Sequence, residues 1–255
     1  RQMLNRAFDA RLRGDMGVAL PEELEILARE MRAQIDGLSQ SLLNIGGLPE
    51  GMAETIENNI GQYMRVSYRM FDDPNYKPSD FVVNRARLHL RGQVEEAAQN
   101  LSDRTGEDVE VIISRMVDAR LADIMAKAQE GSSFNRGSKF GSKDVGSLTP
   151  LKDIDPSIQA YMGLYTDPTL NYARTIQTLG SLVTNTKFLN GVYEMGTKNG
   201  WLFEQADPNR SAEFSYKMAG DATKTLDPLG GMYTTPELSA ALEKTQQQLR
   251  TLNKV

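Results

Sequence analysis

The chain contains one histidine, His89. An imidazole is the side chain best suited to proton transfer near neutral pH. On a helical reading His89 shares a face with Val82 and Ala86, so it is either a general base or a core or boundary histidine. A base needs a partner and a pocket within hydrogen-bond reach, and the sequence near His89 offers no obvious partner, which favours the structural role. A single histidine also excludes a multi-histidine metal site, and the absence of cysteine removes disulfides, thiolate nucleophiles and thiolate metal ligands together. No cofactor and no metal is expected.

Two other groupings invite chemistry. Arg65, Tyr68, Arg69, Phe71, Asp72 and Asp73 mix aromatics with both charge signs, and a metal or acid–base site can be drawn from the two aspartates. Adjacent aspartates before a proline serve as turn and cap residues, however, and no third carboxylate has suitable spacing. The aromatic and basic members, with Tyr63, are better candidates for contact with a partner: Tyr63, Tyr68, Arg69 and Phe71. The pairs Glu95–Glu96 and Glu107–Asp108 make no paired-carboxylate site, because adjacent helical residues point in different directions. No catalytic residue is therefore assigned.

The second grouping is the run GSSFNRGSKFGSKDVGS, from Gly131 to Ser147. Its glycines and lysines suggest an anion cradle, but it lacks the spacing of a phosphate-binding loop before Gly-Lys-Ser/Thr. Arg136, Lys139 and Lys143 could instead neutralise phosphates while Phe134 and Phe140 stack on bases, a contact worth about 1–3 kcal/mol per base. The plain reading is a flexible connection. A net charge of -5 disfavours nucleic-acid binding by the chain as a whole, so any such contact is local.

These residues have to be positioned by helices. With 255 residues, 40% of them hydrophobic and 25% charged, the chain can bury one sizeable core or two smaller ones. No stretch approaches the roughly 18 consecutive apolar residues of a membrane span. The N-terminal sequence enters amphipathic helical pattern at once and reads as the middle of a longer polypeptide.

From Pro21, Leu24, Leu27, Met31, Ile35, Leu38 and Leu42 recur at helical steps as far as Gly46. A second helix is expected from near Gly51 through Ile56, Ile60, Tyr63, Ser67 and Phe71, ended by Asp73-Pro74. Ser79 opens a third to about Leu101. Thr105 with Asp108 resembles a capping box for a fourth, to about Gln129, with an apolar stripe of Val109, Ile112, Ile113, Met116, Val117 and Ile124.

Beyond the basic run, Asp167-Pro168 starts a long helix to about Met195 with a weak point at Gly180. WLFEQ and GGMYTT have the character of short strands that pair as a small ladder, and Thr235-Pro236 opens a last helix. The expectation is a mainly α, multi-helix bundle in two parts, 1–130 and 156–255, around a linker at 131–155, with one short two-stranded ladder near the C-terminal end.

Three stretches taken together, YMRVSYRMFDDPNYKPS from Tyr63, the segment from Asp155 to Trp201, and DPLGGMYTTPELSAAL from Asp227, resemble a region of the very large polyvalent proteins of tailed phages. The shared pattern is an aromatic-Arg helix ending in Phe-Asp-Asp-Pro, a Gly-x-x-x-Asp-Pro helix start, a Lys/Arg-Phe helix and a Gly-x-Tyr step before the last helix. It spans roughly residues 60 to 242.

The resemblance implies a segment of a virion-internal core or DNA-ejection protein of a bacteriophage, a structural and oligomeric role, and no catalytic residue to carry over. Its partners would be other copies of itself and neighbouring virion proteins. Its place would be the virion interior, with delivery into the host cell during infection. The alternatives are a nucleic-acid-binding helical segment that uses loop 131–147 on packaged DNA, and a non-catalytic accessory region of a giant phage enzyme.

Overall fold

The computed structural model describes residues 2–46, 48, 51–137, 154–220 and 226–252. Among them are nine helices and one two-stranded antiparallel sheet, so the chain is mainly α. Its described residues divide into two compact units that are interleaved along the sequence: those up to 65 and from 166 onward form unit one, and 66–137 with 154–165 form unit two. Of the expected linker at 131–155, residues 138–153 lie outside the described residues, whereas 131–137 continue a helix past the expected end near Gln129.

In unit one, α1 (Gln2–Leu12), α2 (Glu22–Ile45), α3 (Met52–Asn59) and α8 (Pro168–Lys198) pack together. Of the apolar stripe read from α2, Leu27 is exposed, whereas Met31, Ile35 and Leu42 are buried, Ile35 and Leu42 being fully enclosed with Ile56, Leu179, Leu182 and Val183. Each large aliphatic so enclosed contributes roughly 1.5–3 kcal/mol.

A polar clamp crosses this unit. Arg32 donates from Nη1 to the carbonyl oxygens of Leu12 (2.9 Å) and Tyr63 (2.7 Å), and pairs with Asp36, whose Oδ1 accepts the Gly61 N–H. Asp167 caps α8 by accepting from the N–H groups of Thr169 and Leu170. The helix runs unbroken through Gly180.

The helix expected from Gly51 to Phe71 is instead split. It stops at Asn59, Gly61 takes φ +84°, residues 63–67 run outside helix, and a four-residue α4 (Arg69–Asp72) follows. The physical reason is competition for backbone partners: the Arg65 N–H donates to Thr175 Oγ1 at 3.0 Å rather than to a carbonyl one helical turn back.

The expected strands also pair differently. β1 (Tyr216–Lys217) is the ladder partner of β2 (Tyr233–Thr234), and WLFEQ contributes a single bridge, Phe203 to Tyr233. This end encloses Leu189, Leu202, Met218, Leu229 and Met232, and α9 (Pro236–Leu252) follows.

Unit two is a hairpin of α5 (Asp80–Thr105) and α6 (Val109–Gly137), with α4 against α6 and the short α7 (Pro156–Tyr161) against α5. Ala86, Leu90, Val94 and Ala98 of α5 interlock with Ile112, Ile113, Val117 and Leu121 of α6. Gly106, at φ +73°, closes α5, and Asp108 rather than Thr105 caps α6, accepting the Glu110 N–H at 2.7 Å. Thr105 still belongs to α5, where its hydroxyl donates to the Leu101 carbonyl.

Candidate functional site

The aromatic-Arg stretch divides between the two units. Tyr63 is half-buried against the Ile35–Leu42 core of unit one. In unit two Tyr68 is buried and forms an antiparallel bridge with Leu164, flanked by Arg69 N–H to the Gly163 carbonyl (2.9 Å) and Tyr165 N–H to the Ser67 carbonyl (3.0 Å). Tyr63 and Tyr68 are therefore packing residues. Arg69 and Phe71 remain exposed, with the Arg69 guanidinium 5.7 Å from the Tyr165 ring centre and Tyr68 edge-on to Phe71. Asp73 makes the expected turn, its Oδ1 accepting the Asn75 N–H at 2.9 Å.

Sequence reasoning missed what this turn positions. It delivers Tyr76 onto Gly163, and its hydroxyl donates to the carbonyl oxygens of Ala160 (3.3 Å) and Tyr161 (3.1 Å). Gly163 has φ +75°, and a Cβ there would lie 2.6 Å from the Tyr76 ring. Burial, opposed by nearby Arg69, raises the Tyr76 pKa above 10.0. Phe-Asp-Asp-Pro-Asn-Tyr and the glycine of Gly-x-x-x-Asp-Pro are thus two halves of one packing contact. The signal available in the sequence was a glycine lacking any turn-forming neighbour.

His89 does have a partner, one supplied from beyond α6. Its Nδ1 is 3.4 Å from Asp155 Oδ2, and its Nε2 is 2.9 Å from Gln93 Nε2. Asp155 is the N-cap of α7. It accepts both the N–H and the hydroxyl of Ser157, and these bonds, with a smaller contribution from His89, hold its carboxyl below 3.8. The serine hydroxyl addresses the aspartate and the outer imidazole nitrogen is engaged by an amide. The arrangement orients helices, and it places no nucleophile beside a base. Tyr161 packs in the same hairpin core, where burial raises its pKa above 10.0.

Of the proposed nucleic-acid contacts, Lys139, Phe140 and Lys143 lie outside the described residues. Phe134 and Arg136 fall on the last turns of α6, and their side chains lie outside the described residues as well. Among the described residues no group of three or more His, Cys, Asp or Glu is placed to hold a metal, and no helix is long and apolar enough to cross a membrane. Several arginines of the hairpin are tied to carboxylates: Arg87 to Asp118, Arg91 to Glu110 and Arg115 to Glu107.

The outer face of α5 is different. Phe81 is 70% exposed and Leu88 71%, one helical repeat apart, on the side opposite the buried Ala86–Leu90–Val94–Ala98 row. Two large apolar side chains are thus displayed on a helix whose other face is already filled. Comparison with protein-family models, with curated proteins and with solved structures gives no match.

Proposed function

We propose that this chain is a structural, interaction-making segment of a virion-internal phage protein, of the core or DNA-ejection kind, that works by helix packing and carries no catalysis of its own. The observation that carries this reading is the exposed Phe81–Leu88 face of α5, on a helix whose inner face is already satisfied by α6 and α7. Support for the phage assignment comes from the resemblance over residues 60–242. Its motifs coincide with packing and capping devices: the Tyr76–Gly163 contact, the Asp167 cap and the Phe203–Tyr233 bridge.

The deciding experiment is peptide mass spectrometry of purified particles produced from a genome that encodes the chain, before and after DNA release. Peptides from this chain inside intact particles, and their loss together with the DNA, are the expected result. Their absence from intact particles overturns the proposal.

A further inference from the structure

We infer that the outer face of α5 is an antiparallel, two-fold docking surface for the same face of a second copy of this chain. This rests on the helix-packing role proposed above and specifies its partner.

Phe81, Arg85, Leu88, Gly92, Glu95 and Gln99 are all exposed and follow one another at alternating steps of four and three. That spacing is the one along which two helices meet in a coiled coil, with Phe81 and Leu88 as its apolar positions. The row faces away from the unit's own core, which α5 fills with Ala86, Leu90, Val94 and Ala98.

The order of residues along the seam selects the occupant. When two such helices cross antiparallel about a two-fold axis near Leu90, Phe81 meets Gln99, Arg85 meets Glu95 and Leu88 meets Gly92, and each pairing occurs twice. Every layer joins a cation to an anion or a large side chain to a smaller one. A parallel pairing would set Arg85 on Arg85 and Glu95 on Glu95, and would leave Gly92 opposite Gly92.

Gly92 is the independent mark of close approach. It stands inside a 26-residue helix, where glycine costs helix stability relative to alanine, and a Cβ built on it has nothing within 4 Å. Among the described residues nothing requires a glycine there. The Leu88 side chain of a second copy supplies a reason. Arg85 is already held along the seam, its guanidinium 6.0 Å from the Phe81 ring centre, where it covers the aromatic until Glu95 of the second copy arrives. A single helix pair is a small interface, so the expected Kd is on the order of micromolar.

The full chain is examined by sedimentation equilibrium across the micromolar range, with R85E and E95R prepared separately. Each variant sets like charges against one another in its own dimer, and each should dimerise at least about tenfold more weakly than the unmodified chain. An equimolar mixture of the two restores both ion pairs and should recover the dimer.

A second measurement uses the absence of native cysteine. L88C and G92C chains should form a disulfide-linked pair when mixed under oxidising conditions, and neither should do so alone. Self-association unaffected by R85E and E95R, or cross-linking of L88C with itself, overturns this seam and leaves the packing role standing. A monomer at every concentration, mixture included, also overturns the seam, whereas the packing role is decided separately by the particle-content experiment.

Discussion

Helix α8 carries three interior glycines for which alanine substitution is expected to have opposite signs. Gly180 and Gly191 have nothing within 4 Å of a built Cβ, and neither has a positive φ. Alanine at either position should stabilise the helix by up to about 1 kcal/mol. Gly196 has an equally helical backbone, but it is buried where the chain turns back after Lys198 and the N–H groups of Trp201 and Leu202 both reach its carbonyl oxygen.

An alanine Cβ at Gly196 would lie 2.3 Å from Leu202 Cδ1, 2.6 Å from Cγ and 2.9 Å from Cβ. Rotating the leucine tip relieves the first two contacts but not the third, and Leu202 is only 1% exposed, so the turn itself has to move. Overpacking of this kind costs about 1–3 kcal/mol, against the gain in helix propensity of about 1 kcal/mol. The cost wins. G196A should lose up to about 2 kcal/mol, the difference of the two, and the melting temperature should fall by up to a few degrees, as follows for a chain of this size.

The assay is urea unfolding followed by far-ultraviolet circular dichroism, read as a shift in midpoint at unchanged slope. The reasoning is refuted if G196A is as stable as the unmodified chain, or if G180A and G191A are both destabilised.

Other perturbations test the devices around the two units. Asp167→Ala removes the cap that accepts two N–H groups at the start of α8 and should cost about 1 kcal/mol by the same urea assay. Tyr76→Phe deletes the hydroxyl bonded to Ala160 and Tyr161, for an expected loss of about 1 kcal/mol. The Tyr76 pKa is raised in the folded chain, so its contribution is complete below the unfolded value and is lost as pH rises through the folded one. The variant should therefore show a flatter alkaline limb in urea midpoint against pH. For Asp155 the sign is opposite. Its folded pKa is depressed by Ser157, so its contribution is complete above the ordinary carboxylate range and is lost as pH falls through the folded value; Asp155→Asn should blunt the acid limb.

Helices with a long apolar stripe were legible in the sequence. The stripe on α6 and, Leu27 apart, the stripe on α2 face inward, and Asp167-Pro168 and Thr235-Pro236 begin helices where their chemistry dictates. Local pattern failed where partners lie far away in sequence. Ile60, Tyr63 and Ser67 keep helical spacing, yet the backbone there bonds to Thr175 and the carbonyl of Tyr63 to Arg32, neither of which a local window contains.

His89 was legible as a boundary residue, but its partner Asp155 lies 66 positions on. The outer face of α5 was hidden for another reason. Phe81 and Leu88 look like core residues by type, and only the enclosed Ala86, Leu90, Val94 and Ala98 reveal which side of the helix faces inward.

The interleaving of the two units also fixes an order of events during synthesis. The α5–α6 hairpin joins neighbours in sequence and can form as soon as it emerges, because closing a short connection costs little chain entropy. The α2 stripe has to wait. Its main packing partner, α8, begins more than a hundred residues later, so Ile35 and Leu42 stay unsealed by Leu179, Leu182 and Val183 until more than two thirds of the chain has been made. A nascent chain halted near residue 130 therefore holds one half-closed hairpin and one open apolar helix, and that open helix is the species a holding chaperone would have to cover.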